Sequence, residues 1–236
     1  MVYENLLITR DEKVGIITLN RPAQLNALST LLFREIDAAL AELENDGGIR
    51  VVMMTGNGRA FSAGADIHEM VDNNPRPGTP PSQGDRGDWL PHLVNYQKPT
   101  IGVINGLAYG GGALLSSCFD MRLGCENTSF RFLAVTYGRI NSAWSLPQIV
   151  GIPKAKELLL TGRVILADEA YRIGLLNQLV PSKELMKNAL EIAHLIAKND
   201  PDAAQLMRRI IDENVGLNAR EALANEAKNI IASFFV

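Results

Sequence analysis

Chemistry in this sequence would have to begin at a stretch of bare backbone. Residues Ile104-Asn105-Gly106-Leu107-Ala108-Tyr109-Gly110-Gly111-Gly112-Ala113-Leu114-Leu115 run from an apolar strand through three consecutive glycines into a nearly all-apolar helix. Glycine lets the chain turn tightly and lets a second molecule approach it closely. A helix that begins just after the turn aims free N–H groups, and the positive end of its dipole, back at it. A pocket of that kind stabilises a developing oxyanion. Proton-moving groups are scarce nearby. Asp66, His68 and Glu69 sit on or beside a helix that follows Ala60-Phe61-Ser62-Ala63-Gly64-Ala65, and Asp66 reads as its cap. His92 lies in a helix of its own, Asp85 and Asp88 read as solvated, and His194 stands in a charged amphipathic helix, where a structural role suffices.

The segment Ala134-Val135-Thr136-Tyr137-Gly138-Arg139-Ile140-Asn141-Ser142-Ala143-Trp144 offers further polar groups. Asn141 would orient a water or a carboxylate, and Ser142 is a weak donor with no partner base in view. Equally, the two form an N-cap pair for a helix through Leu146. Tyr137 donates a proton only if its pKa is lowered, and with Trp144 it reads as packing. Arg139 either holds a substrate carboxylate or faces solvent.

The rest of the chain must position these groups. Its 236 residues are 47% hydrophobic and 21% charged, enough for one large domain with a helical appendage. A net charge of −3 without a basic run argues against nucleic acid and anionic membrane as partners. No apolar run is long enough to span a bilayer, and no basic start followed by an apolar run suggests a signal peptide. Cys118 and Cys125 lack metal-ligand spacing and read as reduced, buried thiols of a cytoplasmic protein.

Residues 3–9 and 14–19 read as a hairpin around Asp11-Glu12-Lys13, stopped by Asn20-Arg21-Pro22. Ser29 caps a predicted helix to about Asn45, whose Leu32, Phe33, Ile36, Ala39, Leu40 and Leu43 form one stripe. Residues 50–56 and 99–104 are apolar runs of the kind found in buried parallel strands. Between them lie a proline- and glycine-rich stretch, 73–88, expected to be a surface loop or lid, and a helix over 89–96. A buried helix is expected over 111–118, and strands over 121–124, 129–132 and 177–180. Helices are expected over 153–161, 167–173, 183–198, 201–214 and 219–234. Strand–helix alternation followed by helices means an α/β core with a helical extension.

Several motifs in order bring a resemblance into view: Asn20-Arg21-Pro22 with Leu25-Asn26-Ala27-Leu28, Phe61-Ser62-Ala63-Gly64-Ala65-Asp66, Asn105 to Gly112, Leu158-Leu159-Leu160-Thr161-Gly162, Ala167-Asp168-Glu169-Ala170 and Gly174-Leu175-Leu176. Over nearly its whole length the chain resembles the crotonase (enoyl-CoA hydratase/isomerase) superfamily. The resemblance implies an α/β fold, a crotonase-like spiral of ββα units over 1–180, followed by a helical C-terminal region over 181–236 that mediates homotrimer or dimer-of-trimers contacts. That region is expected to be short, because relatives continue past a segment like Ala232-Ser233-Phe234-Phe235. It implies an acyl-CoA substrate that carries its own coenzyme A, with no separate cofactor and no metal. The thioester carbonyl would sit between the backbone N–H groups of Ala65 and Gly111. By itself Ala63-Gly64-Ala65 fits a tight helix entry without ligand; beside the triple glycine it fits the second half of an oxyanion hole. Substrate contacts would come from Leu25, Ala27, Ala63, Asp66, Ile67, Leu107, Gly110, Ala134 and Tyr137, and His68 would lie near the CoA phosphates.

The sequence also departs from the family. Its hydratases carry a glutamate two residues past the triple glycine and another four past a phenylalanine matching Phe130. Those positions are Leu114 and Ala134 here. Hydration needs a base for water and an acid for the α-carbon, and neither side chain supplies one. A different reaction of an acyl-CoA is expected (decarboxylation, hydrolysis or isomerisation), with Asn141 and Ser142 as substitute polar groups. A non-catalytic homologue that binds acyl-CoA or assembles with active subunits is the alternative.

Overall fold

The computed structural model describes residues 2–72 and 89–233, so the expected loop or lid over 73–88 lies outside the described residues. Strands β1 (Leu6–Asp11) and β2 (Val14–Leu19) form the hairpin, pairing antiparallel from Leu6 opposite Leu19 to Asp11 opposite Val14. The turn is tighter than the sequence suggests: only Glu12 and Lys13 lie outside the ladder, with Glu12 in the left-handed region at φ 49°. A 3-10 turn over Pro22–Gln24 leads to α1 (Thr30–Asn45). Ser29 caps α1 as expected, its Oγ accepting the Leu32 N–H at 3.2 Å. At the other end the buried Lys98 ammonium donates to the carbonyls of Leu43 and Asp46, each at 2.7 Å.

Next come β3 (Val51–Gly56), β4 (Ala60–Ser62), α2 (Ile67–Asp72), α3 (Trp89–Val94), β5 (Thr100–Ile104), β6 (Leu107–Tyr109) and α4 (Gly111–Ser116). The chain continues through β7 (Met121–Gly124), β8 (Ser129–Arg131), a 3-10 turn over Ala134–Tyr137, α5 (Leu146–Val150), α6 (Ile152–Thr161), β9 (Ile165–Leu166) and α7 (Ala167–Arg172). It closes with β10 (Gln178–Leu179), a 3-10 turn over Ser182–Glu184, α8 (Leu185–Ala197), α9 (Pro201–Glu213) and α10 (Ala219–Ser233).

Two sheets hold these elements. One has the order β1-β2-β3-β5-β7-β10, parallel except for the β1–β2 hairpin; the other is β4-β6-β8-β9, with β9 antiparallel. The pairs β3–β4, β5–β6 and β7–β8 each place their first strand in the large sheet and their second in the small one. The chain therefore advances one strand in both sheets per turn, which is the spiral of ββα units that the resemblance implies. Strand β3 is buried throughout. Its Val52 and Met54 join the main core with Leu32, Ile36 and Phe61, while Val51 and Met53 face Leu185, Ala189, Ala193 and Ala197 of α8. Alternation along a strand covered on both faces produces this split. Helix α8 thus completes the core, and α9 and α10 are the helices beyond it.

The sequence reading passed over β4, β6 and β9. These are two- or three-residue strands, too short to show period-2 alternation. The predicted helix over 111–118 is shorter, ending at Ser116. Helix α8 begins at Leu185 because 182–184 forms a 3-10 turn.

Candidate active site

Two backbone turns meet at the point where the spiral passes between its sheets. The first leaves β4 as Ala63-Gly64-Ala65-Asp66 and is pinned along its length by residues 21–29. Ala63 N donates to Leu25 O at 2.9 Å, Leu28 N to Gly64 O at 2.7 Å, and Asp66 N to Leu28 O at 3.2 Å. Ser62 Oγ donates to Asn26 O at 2.8 Å and accepts from Gly64 N. The pinning segment is itself contorted, with Leu25 and Asn26 at φ 52° and 55°. Asn26 holds that shape: its fully buried amide donates to Asn57 O and Ala60 O, and its Oδ1 accepts from Arg21 N. Arg21 reaches across to Asp66 Oδ2 at 2.9 Å.

The second turn leaves β6 at Gly110, whose φ of 52° with ψ of −113° excludes a residue with a Cβ. Its N–H donates to Arg131 O at 2.9 Å. The turns touch. A Cβ built on Gly64, at φ 92°, would stand 2.6 Å from Tyr109 O and 2.9 Å from Gly111 N. One built on Gly112 would stand 2.4 Å from Ser62 O. Only glycine permits these approaches.

This contact leaves two donors side by side. Leu28 pairs with Ala65 through the flanking Gly64 carbonyl and Asp66 N–H, so the Ala65 N–H points away from Leu28. Gly111 is the first residue of α4, and its N–H has no intrahelical partner. Among the described residues neither N–H meets an acceptor. The Ala65 nitrogen lies 3.6 Å from the position a Gly111 Cβ would take. With α4 only six residues long, the local N–H groups outweigh any macrodipole.

The side chains next to the glycine turn are mostly apolar. Leu114, one turn into α4, packs on the core, and Leu133 lies 3.6 Å from where a Gly110 Cβ would be. Ala134 is half-buried on its 3-10 turn, its carbonyl accepting from Arg139 N at 3.0 Å. The following segment is tied to α4 by hydroxyls. Ser117 Oγ donates to Leu114 O at 2.8 Å, so the Ser145 hydroxyl donates to Ser117 Oγ at 2.9 Å. Ser142 is fully buried at φ 55°, and neither its Oγ nor Asn141 Oδ1 has a partner. The N-cap reading of this pair is overturned, since α5 starts at Leu146 with Ser145 at the cap position.

The other expected contacts spread outward. Ala63, Ala65, Leu107, Gly110 and Gly111 are half-buried, and Ala27 and Asp66 are buried. Ile67 and Tyr137 are exposed, and so are Arg139 and Trp144. Asp66 caps α2 as expected, accepting His68 N at 3.1 Å. Burial would raise its pKa, but the Arg21 hydrogen bond and the His68 N–H together draw it below the ordinary carboxylate value. His68 is exposed. His92 is committed elsewhere, with Nδ1 2.7 Å from Asp37 and Nε2 3.2 Å from Glu44 on α1. His194 pairs with Asp11 at 2.8 Å. The sequence assigns no role to the side chains of Arg21 and Asn26, because the left-handed Leu25–Asn26 pair that they hold has no signature in spacing or periodicity. Among the described residues no three His, Cys, Asp or Glu side chains are placed to hold a metal ion, and no helix is long and apolar enough to cross a membrane.

Comparison with known proteins agrees with this architecture. The profile of a family described as enoyl-CoA hydratase/isomerase matches residues 9–235. The chain is 37% identical over 234 residues to the short-chain-enoyl-CoA hydratase of Clostridium acetobutylicum, spanning 97% of this chain and 88% of that protein. It is similar to the crystal structure of an enoyl-CoA hydratase from Bacillus anthracis, with a TM-score of 0.90, 32% identity and coverage of 99% of this chain and 92% of that one. A monofunctional enoyl-CoA isomerase from M. smegmatis matches with a TM-score of 0.78 at 28% identity, over 92% of this chain and 97% of that one. On fold, motif order and sequence together, the chain belongs to the enoyl-CoA hydratase/isomerase family of the crotonase superfamily.

Proposed function

We propose that this protein binds an acyl-CoA thioester with its carbonyl oxygen between the N–H groups of Ala65 and Gly111, and that it acts on the enolate formed there. The observation that carries the reading is the pair of unpartnered N–H groups on two touching turns, each fixed by hydrogen bonds and by glycines that tolerate no substitute. Two preorganised donors stabilise a developing oxyanion by several kcal/mol. Coenzyme A arrives as part of the substrate, and the protein needs no cofactor of its own.

The reaction differs from two-glutamate hydration, because Leu114 and Ala134 occupy the positions at which the family resemblance places the two carboxylates. Decarboxylation of a malonyl-type thioester fits best. The bond to the carboxylate carbon breaks, CO2 leaves, its electron pair enters the enolate, and water protonates the α-carbon. No protein base is required. Hydrolysis and isomerisation are the other candidate reactions. Leucine and alanine at positions 114 and 134 also favour a second reading, a non-catalytic homologue that holds acyl-CoA or joins active subunits.

Met207, Ile211, Val215, Leu217 and Leu223 are exposed on and between α9 and α10, which supports a homotrimer or dimer of trimers built through these helices. The two free, buried cysteines support a cytoplasmic location.

The test is incubation with enoyl-, malonyl- and aryl-CoA thioesters, followed by mass spectrometry for turnover and calorimetry for binding. Binding without turnover establishes the non-catalytic reading, and absence of binding overturns both. Introducing Leu114→Glu and Ala134→Glu together is expected to create hydration of crotonyl-CoA. A folded double variant with no such activity would show that the pocket has lost the hydratase geometry.

A further inference from the structure

The Ala65 N–H is aimed by its neighbours, because alanine has no side-chain hydrogen bond to hold itself in place. Before it, Ser62 Oγ and Ala63 N are bonded to the carbonyls of Asn26 and Leu25, and Gly64 then turns the chain at φ 92°. After it comes Asp66, whose N–H reaches Leu28 O at 3.2 Å. That is the longer of the two backbone bonds that bracket Ala65; the other, from Leu28 N to Gly64 O, is 2.7 Å. Glycine is the most permissive joint a chain can have, so the aim of residue 65 depends on what is fixed beyond it.

The Asp66 side chain supplies that anchor. Its Oδ1 accepts His68 N at 3.1 Å, and its Oδ2 accepts from Arg21 Nη1 at 2.9 Å. The same Arg21 nitrogen donates to Ala27 O at 2.5 Å. One guanidinium thus ties the end of the left-handed Leu25–Asn26 turn to the residue that follows Ala65. The side chains of Arg21 and Asp66 are only 18% and 8% exposed, so solvent and salt screen the pair little, and a charge-assisted bond is roughly twice as strong as a neutral one. The Arg21 backbone is held separately: its N–H donates to Asn26 Oδ1, and its carbonyl accepts from Gln24 N and Asn26 N. Its side chain can therefore be changed without undoing the turn that carries it. Resting on the acyl-CoA reading above, we infer that Arg21 is a positioning residue: through Asp66 it aims the Ala65 N–H at the substrate carbonyl, and it does not itself hold the thioester.

The experiment binds butanoyl-CoA, isotope-labelled at the thioester carbonyl, to the full-length chain. Infrared difference spectra read the carbonyl band and calorimetry reads Kd. In the parent the band is expected to move to lower frequency on binding. Arg21→Met is expected to remove at least half of that shift while Kd stays within about threefold. Arg21→Lys, whose ammonium still reaches Asp66, should keep most of it. Arg21→Met combined with Asp66→Asn should lose no more than Arg21→Met alone, because residues that act as one unit are not additive. For any thioester that is turned over, Arg21→Met should lower kcat by about 10- to 100-fold and leave KM unmoved. A parental shift in folded Arg21→Met overturns the inference, as do additive losses in the double variant or a weakened Kd with the shift intact. If Arg21→Met does not fold, a shift reduced in Asp66→Asn and kept in Arg21→Lys supports the inference, and a shift kept in both overturns it. A bound thioester with no carbonyl shift in the parent refutes the placement of the carbonyl, and this inference with it; absence of binding refutes the acyl-CoA reading itself.

Discussion

Gly111→Ala separates the stability of the glycine turn from its use. Gly111 opens α4, and no left-handed backbone forces glycine there. A Cβ at this position meets first the Leu28 Cδ1 at 3.1 Å, the far end of a flexible side chain, and then Ala65 N and Gly64 Cα at 3.6 Å. Replacing a helical glycine by alanine is worth about 0.5–1 kcal/mol. Displacing one methyl costs a comparable amount, so the unfolding free energy should stay within about 1 kcal/mol of the parent. Function should not survive so well. The new methyl stands 3.6 Å from Ala65 N, close enough to crowd a carbonyl oxygen that accepts from both donors. Loss of one oxyanion donor costs about 2.7–4 kcal/mol, or roughly 100- to 1000-fold in rate. The assay pairs urea unfolding with kcat/KM, or with Kd where no turnover is found, on the best thioester of the panel. Gly47→Ala serves as the control, because a Cβ there meets nothing within 4 Å. A folded Gly111→Ala protein that handles the thioester as the parent does would refute the placement of the carbonyl between Ala65 and Gly111.

Gly64→Ala should behave in the opposite way, failing in stability first. Its φ of 92° and backbone contacts of 2.6 and 2.9 Å leave no flexible side chain to give way, and a loss of about 2–4 kcal/mol is expected by urea unfolding. Asp66 should make stability depend on acid. Its folded pKa lies below the unfolded value of about 3.9, so its contribution is complete above about pH 4 and is lost as pH falls through the lower, folded value. Asp66→Asn should therefore cost about 1–3 kcal/mol at pH 7, and the gap to the parent should shrink as pH falls below about 4 in parallel unfolding titrations; a gap that stays constant with falling pH would refute the assignment. Burial pushes the Cys118 thiol up to about 12, so alkylation of Cys118 by iodoacetamide at pH 7.5, read by peptide mass spectrometry, should be negligible in the folded protein and fast in urea.

The fold was legible wherever burial imposed a period. The α1 stripe, the runs 50–56 and 99–104 and the C-terminal helices all follow from side chains that must face a core. Illegible were the three-residue strands β4 and β6, which exist because β3 and β5 hand the chain across to a second sheet. Nothing in Ala60-Phe61-Ser62 or Leu107-Ala108-Tyr109 announces that. The glycine turn at 110–112 was legible in the sequence, but the turn at Ala65 that meets it emerged only from motif order. The role proposed for Ala65 rests on a backbone N–H that every residue except proline carries, so its side chain encodes nothing about that role. Ser142 illustrates the converse. Its type suggested a cap, whereas burial and a left-handed φ show a hydroxyl with no cap to make.

The distribution of constraint across the site bears on what the protein does. The two donor turns are over-determined: Asn26, Ser62, Arg21 and Asp66 fix one, Gly110 and Arg131 fix the other, and Gly64 and Gly112 set their closeness to within a methyl group. The strained left-handed Leu25–Asn26 pair and its buried asparagine hold the chain on both sides of β4, through Asn57 O, Ala60 O and Ala63 N, and so help to fix the position of Ala65. Leu114 and Ala134, by contrast, are ordinary packing residues beside that geometry. Leucine and alanine at positions 114 and 134, beside two fixed turns, fit the proposed reading of a polarised thioester whose proton, or electron pair, comes from somewhere other than a glutamate at those positions. On the acyl-CoA reading proposed above, such a pattern fits a reaction whose enolate arises by loss of a leaving group better than a pocket that has ceased to bind.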